Sequence, residues 1–320
     1  MKSEKPIIQT FKAEFDKIKN AIITDCIISP IENPLKKAKM KALWDTGSSC
    51  IISRAAVKKL GLVPVRTTLH YCKGSYTVRN VYHVYVNTFT NIYIPVEAME
   101  SPFEGILDNP VMPPFIIGLD FIKKGNFTIT QVESRSVMNF SLPTIEDPST
   151  ENYIEFEDDY NLDGNLTKLP VLTTEDDDIV TMEYDEIKSS LPCSCNISFP
   201  DDSQKTEVSA MWDTGATQSM ISKSFYSKFH FPIVNNGYIA SVNKINRISG
   251  CKIKIHISDY ISYEVIAGIQ DEDERQDLLI GMDVISLGRF QLTNIHGEAL
   301  LSFENYKSIV NTNLHTTLKN

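Results

Sequence analysis

Trp44-Asp45-Thr46-Gly47 and Trp212-Asp213-Thr214-Gly215 are two copies of one tetrapeptide, and they contain the only tryptophans of the 320-residue chain. An isolated Asp-Thr-Gly would occur by chance in roughly one chain of this length in fifteen. A single copy would also fit a surface turn, in which Asp, Thr and Gly are common. Two copies, each after an apolar residue and each followed by hydroxyl-bearing and then apolar residues, indicate an internal duplication that carries an aspartate in a turn.

Two aspartates suggest a specific chemistry if they lie side by side. Adjacent carboxyl groups cannot both ionise easily, so their titrations separate and the pair shares one proton. The ionised member can take a proton from a water molecule while the protonated member polarises a carbonyl group. Such a pair hydrolyses an amide bond without a metal, a thiol or a serine, so we expect no cofactor.

The flanking segments of the two copies also match. Phe15-Asp16-Lys17-Ile18-Lys19 and Tyr184-Asp185-Glu186-Ile187-Lys188 open the two repeats. Alternating polar and apolar residues then predict two strands joined by a polar turn, the second strand running into the tetrapeptide. A short helix is predicted after each copy, from Ser53 to Leu60 and from Ser222 to Phe229.

Each repeat next contains a predicted hairpin with a polar tip. The candidate tip residues are Lys73 and Gly74 in the first repeat, and Asn243 and Lys244 in the second. A two-stranded flap over a cleft has this pattern, and so does any exposed hairpin.

A second pair of motifs follows, Gly118-Leu119-Asp120 and Gly281-Met282-Asp283, each after a buried apolar strand. Glycine at the end of a buried strand is expected where another backbone passes very close. The sequence predicts that Asp120 and Asp283 cap short helices at 121–124 and 284–287.

The composition of the chain argues against several other classes of protein. The start of the chain has no apolar run of the signal-peptide type and the apolar stretches are strand-sized, so we expect neither export nor a membrane span. Six cysteines are too few for a disulfide framework, which favours the cytoplasm. No basic stripe with interleaved aromatic residues is present, so nucleic acid is not expected as a partner.

The acidic residues are concentrated between 144 and 190, where fifteen acids face two lysines although the net charge of the whole chain is −10. The sequence predicts a flexible acidic linker at 144–183. In an alternative interpretation, its apolar patches at 153–156 and 169–172 dock on a lobe or occupy a cleft. The prolines of 87–114 predict a stiff wall on one side of a cleft.

The motifs together resemble the retropepsin-like aspartic proteases. The resemblance rests on apolar-Asp-Thr-Gly followed by Ile-Ile-Gly-Leu-Asp or Leu-Ile-Gly-Met-Asp, and 281–290 is similar to the microbial single-domain members. It covers both repeats but not the acidic segment. It implies an all-β fold with two lobes, 1–143 and 184–306, related by a pseudo-two-fold axis as in pepsin-like enzymes, and followed by a polar tail at 307–320.

The resemblance also implies roles for individual residues. Asp45 and Asp213 are the implied catalytic dyad, Thr46 and Thr214 interlock the loops, and Gly47 and Gly215 let the backbone approach the water and donate to the carboxylates. Ser48 departs from the Ala that is typical after the glycine, whereas Ala216 matches it. From this difference we predict that the Ser48 hydroxyl favours an ionised Asp45, that Ala216 offers Asp213 nothing, and that Asp213 holds the proton.

The sequence therefore predicts a monomeric aspartic endopeptidase acting on peptides or proteins, with one aspartate from each lobe. Two alternatives stay open: a catalytically silent peptide-binding or scaffold protein on the same fold, and active sites formed between chains.

Overall fold

A computed structural model describes residues 7–72, 75–88, 91–101, 113–132, 134–144, 152–153, 171–176, 178–187, 190–240, 245–270, 276–295 and 298–305. The protein is all-β, as predicted, with short helices between strands. None of the helices in these ranges is long and apolar enough to cross a membrane.

Residues up to 144 are called the first half, and residues from 171 the second half. The strands of the first half are β1 (Ile7–Glu14), β2 (Ile23–Pro30), β3 (Ala38–Trp44), β4 (Ile51–Ile52), β5 (Arg66–Cys72), β6 (Ser75–Asn87), β7 (Ile92–Glu100), β8 (Phe115–Ile117), β9 (Asn126–Val132) and β10 (Arg135–Thr144). Its helices are α1 (Arg54–Leu60) and α2 (Leu119–Ile122).

A short strand, β11 (Asn152–Tyr153), lies between the halves. The strands of the second half are β12 (Val171–Asp176), β13 (Ile179–Tyr184), β14 (Leu191–Ser198), β15 (Thr206–Trp212), β16 (Met220–Ser222), β17 (Ile233–Ala240), β18 (Ile245–His256), β19 (Ser262–Gln270), β20 (Leu278–Ile280), β21 (Gly288–Ile295) and β22 (Glu298–Asn305). Its helices are α3 (Lys223–Phe229) and α4 (Met282–Ile285).

Two sheets belong mainly to one half each, and a third contains strands of both. The first sheet has the order β11-β7-β4-β8-β3-β2-β6-β5, and the second has β14-β15-β20-β16-β19-β18-β17. The shared sheet has the order β1-β10-β9-β21-β22-β13-β12. The halves therefore meet where β9 pairs with β21, and the shared sheet holds them together through backbone hydrogen bonds.

The two tryptophans form corresponding parts of one aromatic core. Trp44 stacks on Phe127 with ring centroids 5.4 Å apart, and Trp212 packs on Phe290 at 5.8 Å. Phe127 and Phe290 meet edge to face at 6.4 Å. Each such pair adds about 0.5–1.5 kcal/mol beyond the burial of its area. Because each tryptophan directly precedes an Asp-Thr-Gly, these four packed aromatic rings hold both tetrapeptides against the shared sheet.

The helix predictions after the tetrapeptides are confirmed. Ser53 caps α1 by accepting a hydrogen bond from the Ala56 N–H, and Gly61 ends it in the left-handed conformation at φ 62°. Ser222 caps α3 in the same way, from Phe225 N–H. Here His230 takes the left-handed position at φ 53°.

The prediction of an unstructured linker at 144–183 is wrong in part. Residues 171–176 and 179–184 form β12 and β13, and β13 pairs with β22. Asn152 and Tyr153 pair with β7. Backbone hydrogen bonds to an existing sheet edge stabilise these strands, so a high acid content does not prevent them from forming. β13 extends the shared sheet beyond β22 just as β1 does beyond β10.

Some predictions fall outside the described residues. These are the hairpin tips Lys73, Gly74, Asn243 and Lys244, residues 102–112 of the proline-rich wall, and the tail at 307–320. The hairpins themselves are present as β5–β6 and β17–β18.

Candidate active site

Both aspartates lie at the end of a strand that has a parallel partner. β8 runs between β3 and β4, parallel to β3 and antiparallel to β4, and β20 has the same place between β15 and β16. The backbone N–H of Asp45 donates to Ile117 O at 3.0 Å, and that of Asp213 to Ile280 O at 3.0 Å. Each aspartate is thereby fixed at the point where its chain leaves the sheet.

The glycines after β8 and β20 allow the close approach that the sequence predicts. A Cβ on Gly118 would lie 2.2 Å from the backbone carbon of Ser49, and one on Gly281 would lie 2.5 Å from that of Gln218. These distances are too short for any side chain, so the two loops after the tetrapeptides pass directly over these glycines. We call residues 45–50 the first loop and 213–219 the second loop.

The prediction that Asp120 and Asp283 cap short helices is wrong. α2 and α4 begin two residues earlier than predicted, at Leu119 and Met282, and their N-cap residues, Gly118 and Gly281, make no side-chain capping bond. Asp120 instead accepts from the Cys50 N–H at 3.1 Å, and Asp283 accepts from Ser219 N–H at 2.8 Å. Both carboxyls therefore hold the far end of a loop, which orders the loop that carries Asp45 or Asp213.

Thr46 and Thr214 interlock the two loops through four hydrogen bonds. The Thr46 N–H donates to Thr214 Oγ1 at 3.1 Å, and the Thr214 N–H donates to Thr46 Oγ1 at 3.1 Å. Each hydroxyl then donates across to the residue before the other aspartate, Thr46 to Trp212 O at 3.2 Å and Thr214 to Trp44 O at 3.0 Å. Both threonines are fully buried, so these bonds have no competition from water.

The interlock brings the two carboxyl groups together. A Cβ on Gly47 would lie 2.4 Å from Asp213 Cγ, and a Cβ on Gly215 would lie 2.3 Å from Asp45 Cγ. Each carboxyl thus packs directly on the glycine of the opposite loop, and the two carboxyls are close enough for each to change the pKa of the other. Any other residue at Gly47 or Gly215 would displace the aspartate of the other half.

The electrostatics of the pair are those of two acids sharing a proton. Asp45 is only 9% exposed, and burial raises the pKa of both carboxyls. The neighbouring Asp45 carboxyl raises the pKa of Asp213 further. Backbone donors act in the opposite direction, because they favour ionised forms: Gly47 N–H donates to Asp45 Oδ1 and Gly215 N–H to Asp213 Oδ1, both at 2.8 Å.

The loops differ at the residue after the glycine. The Ser48 hydroxyl lies beside Asp45 and lowers the pKa of that carboxyl, although none of its contacts has the geometry of a hydrogen bond. The prediction that Ala216 offers Asp213 nothing is wrong, because the Ala216 backbone N–H donates to Asp213 Oδ1 at 3.2 Å. The second loop is one residue longer than the first, and this difference in backbone path accompanies the additional donor.

Sequence reasoning missed a buried carboxylate beside the first loop. Glu100, at the end of β7, is 9% exposed and accepts hydrogen bonds from Arg54 Nε at 2.6 Å, Tyr82 OH at 2.7 Å and Asn80 Nδ2 at 2.8 Å. Burial raises the pKa of Glu100, but these three donors outweigh it and leave the pKa lowered. We call these four residues the Glu100 cluster.

The Glu100 cluster ties the hairpin β5–β6 to the first turn of α1, which follows the first loop. The sequence contains one sign of this cluster, because Val96, Ala98 and Glu100 alternate along β7 and so share its buried face. These residues lie within 87–114, the segment whose prolines predict a wall.

Comparisons with known proteins add no family to these observations. A scan against models of known protein families and a search of curated proteins each find no match to this chain. Among the described residues, no group of three or more His, Cys, Asp or Glu side chains has the arrangement of a metal site.

Proposed function

We propose that this protein is an aspartic endopeptidase in which Asp45 and Asp213 form one catalytic dyad. The observation that carries the proposal is the mutual packing of each carboxyl on the opposite glycine, with the two loops interlocked through Thr46 and Thr214. Buried paired carboxyls with raised pKa values are the form of acid–base pair that activates water against a carbonyl group.

We infer that the two halves are retropepsin-like lobes related by an approximate two-fold axis. Phe127 and Phe290 each lie nine residues after the glycine of their Gly-x-Asp motif. In the central pair of the shared sheet, Phe127 lies opposite Leu292 and Ile129 opposite Phe290. If each residue of β9 is replaced by its equivalent in β21 and the reverse, the same pairs result. The approximate two-fold axis therefore passes through the pair Thr128–Gln291. The equivalent pairings of β3–β8–β4 and β15–β20–β16 further support the inference.

The dyad acts on a water molecule between the two carboxyls. The ionised aspartate takes one proton from the water as the oxygen attacks the scissile carbonyl carbon, and the protonated aspartate gives its proton to the carbonyl oxygen. The resulting tetrahedral diol collapses when one hydroxyl proton returns to a carboxylate and the leaving nitrogen takes a proton from the other. The C–N bond breaks, and the pair again holds one proton.

We propose that Asp45 is the ionised base and Asp213 the protonated partner. The Ser48 hydroxyl favours an ionised Asp45, and the Asp45 charge keeps the proton on Asp213. The second backbone donor, Ala216 N–H, acts against this assignment by favouring an ionised Asp213.

We also propose pairing within one chain, which makes the active enzyme a monomer. One chain can supply both partners of all four interlock hydrogen bonds and of the β9–β21 pairing, so a second chain is not needed to bring the two aspartates together. The five cysteines with described side chains are buried thiols without a disulfide, which supports the proposed cytoplasmic location.

The proposal is tested by cleavage of a mixed peptide library by the wild type, Asp45→Asn and Asp213→Asn. We expect each variant to lose at least about 10⁴-fold in kcat/KM, because each carboxyl performs a proton transfer that the other cannot perform at the same time. Asp25→Asn is the matched control, since Asp25 lies on β2 of the first half and pairs with the surface lysines Lys39 and Lys41.

Three other outcomes separate the alternatives. Near wild-type turnover in either variant contradicts the shared dyad. About half the activity in each variant indicates that every loop pairs with its own copy in a second chain. A wild type that binds peptides without cleaving them indicates a silent peptide-binding protein.

A further inference from the structure

One face of the first sheet leads from the first loop to the base of the hairpin β5–β6. Directly paired residues of neighbouring strands point to the same face of a sheet. The pairings place five apolar residues in one continuous row on the face opposite the Trp44 core: Leu43, Ile116, Ile51, Met99 and Val81.

The second sheet carries the equivalent row beside the second loop, formed by Met211, Leu279, Met220, Gly268 and Gly250. Met211, Met220 and Leu279 form a small cluster that packs against Ala216 and Ile248. Because Ala216 follows the Asp-Thr-Gly directly, this row lies next to the dyad. Ile248 lies two residues before Gly250 on β18 and therefore on the same face.

Arg79 occupies in the first half the position that Ile248 occupies in the second. It lies two residues before Val81 on β6, as Ile248 lies two before Gly250. Ile248 folds down onto the sheet, because a Cβ at Gly268 would be only 2.7 Å from its Cδ1. Met99 takes the place of Gly268 in the first sheet, so a side chain occupies the space that Ile248 fills in the second sheet.

The charge of Arg79 is not neutralised within the part of the chain that the structure describes. Arg66 lies opposite Val81 on the same face, but its Nε donates to Glu97 at 3.2 Å. Glu100 is held by its own cluster on the opposite face. Half-buried Arg79 makes no hydrogen bond or ion pair with the described residues. A guanidinium in this state is available to a carboxylate from outside.

We propose that Arg79 binds an acidic side chain of the peptide substrate. The inference rests on the proposed peptidase function and deepens it, because it names the substrate class. The cleft then takes Asp or Glu at one position on one side of the scissile bond. It takes an apolar residue, contacted by Ile248, at the matching position on the other side.

The experiment compares synthetic peptides in which one position at a time carries Glu, Gln or Lys. We expect the wild type to cleave the Glu peptide about tenfold better at one position, as judged by kcat/KM. Arg79→Gln removes this preference and Arg79→Glu inverts it in favour of Lys. Arg66→Gln is the matched control and keeps the preference, since Glu97 already pairs with Arg66.

A pH series provides a readout that a purely structural role for Arg79 would not change. A substrate Glu is ionised only above a pH of about 4.3, its ordinary pKa. The preference of the wild type for Glu over Gln should therefore fade as the pH falls through this value, while Arg79→Gln shows no preference at any pH.

Binding measured by fluorescence anisotropy with Asp213→Asn separates this inference from the proposed function. One outcome is that the wild type cleaves no peptide, that Asp213→Asn binds the Glu peptide better than the Gln peptide, and that Arg79→Glu in the Asp213→Asn background reverses this preference. In that case the assignment of Arg79 stands and the proposed peptidase function fails. An unchanged preference in Arg79→Glu, or no preference in the wild type, overturns the inference. Binding of no peptide at all overturns both.

Discussion

The first and second loops share most of their hydrogen bonds but differ in the groups that surround them. Both aspartates receive an N–H from the second residue after them, both threonines make the same two cross-loop bonds, and both loops pass over a glycine. Behind the first loop lies the polar Glu100 cluster, whereas the corresponding strands of the second half carry Ile269 and Cys251.

Two matched carboxyls require some features of both loops, whereas the residues behind the loops can differ between the halves. The interlock and the close glycines are needed twice, because each half positions the aspartate of the other. The residues behind each loop need only to be well packed, with every buried polar group hydrogen-bonded. A buried charge with three donors fulfils this in one half, and an apolar contact fulfils it in the other.

The largest effect is expected from breaking the shared part. Thr46→Val or Thr214→Val removes one hydroxyl that both accepts and donates, which leaves a buried N–H and a buried carbonyl unsatisfied. We expect each variant to lose about 2–4 kcal/mol in the free energy of unfolding, measured by denaturant titration. Because the interlock is reciprocal, the two losses should be equal within error.

The corresponding Thr→Ser variants serve as controls, since they keep the hydroxyl and should retain most of the stability. A loss confined to one of the two valine variants would show that the interlock does not act as a reciprocal unit.

The next effect tests the part that differs. Glu100→Gln should cost about 1–3 kcal/mol, because it replaces a charged acceptor of three hydrogen bonds with a neutral amide. The pKa of Glu100 is lowered, so its contribution is present above the ordinary pKa of Glu and is lost as the pH falls through the lowered value. The gap between wild type and variant should therefore close in acid.

Glu97→Gln is the matched control, since Glu97 also lies on β7 but pairs with Arg66 and His83 on the opposite face of the sheet. An equal loss in Glu97→Gln, or a gap that does not depend on pH, would contradict the role assigned to the Glu100 cluster.

The comparison also shows what the sequence could predict. The duplicated Trp-Asp-Thr-Gly, the Gly118 and Gly281 motifs and the caps of α1 and α3 all depend on local patterns, and the structure has the predicted local features at these positions. Long-range pairing accounts for the failures. β13 forms because β22 offers an edge, and Asp120 bonds to a loop seventy positions away. Neither partner is visible in the local sequence.

A third effect concerns the charge of the dyad. Burial and the Asp45 carboxyl raise the pKa of Asp213, so the folded protein holds a proton at pH values where the unfolded chain has lost it. The free energy of unfolding should fall as the pH rises from the ordinary pKa of Asp, 3.8, towards the raised value. Asp213→Asn cannot ionise, so it should be more stable than the wild type at pH 7 by on the order of 1–2 kcal/mol.

Unfolding at pH 3 is the internal reference, because both proteins are then neutral at this position and should differ little. An Asp213→Asn variant that is less stable than the wild type at pH 7 would show that ionisation of Asp213 does not oppose folding.

The smallest effect tests the residue after each glycine. Ser48 lowers the pKa of Asp45 without a well-formed hydrogen bond, whereas Asp213 has an additional backbone donor in Ala216 N–H. If the hydroxyl decides which aspartate is ionised, Ser48→Ala should raise the lower apparent pKa of the kcat/KM profile and move its acid limb to higher pH. Activity on that limb should fall by about 2- to 10-fold, the effect of one ordinary hydrogen bond. Ala216→Ser should shift the balance towards an ionised Asp213 and serves as the reciprocal variant. If the acid limb of a folded, active Ser48→Ala variant instead stays in place, the backbone donors decide which aspartate is ionised. Asp213, which has the additional backbone donor, would then be the ionised member of the pair.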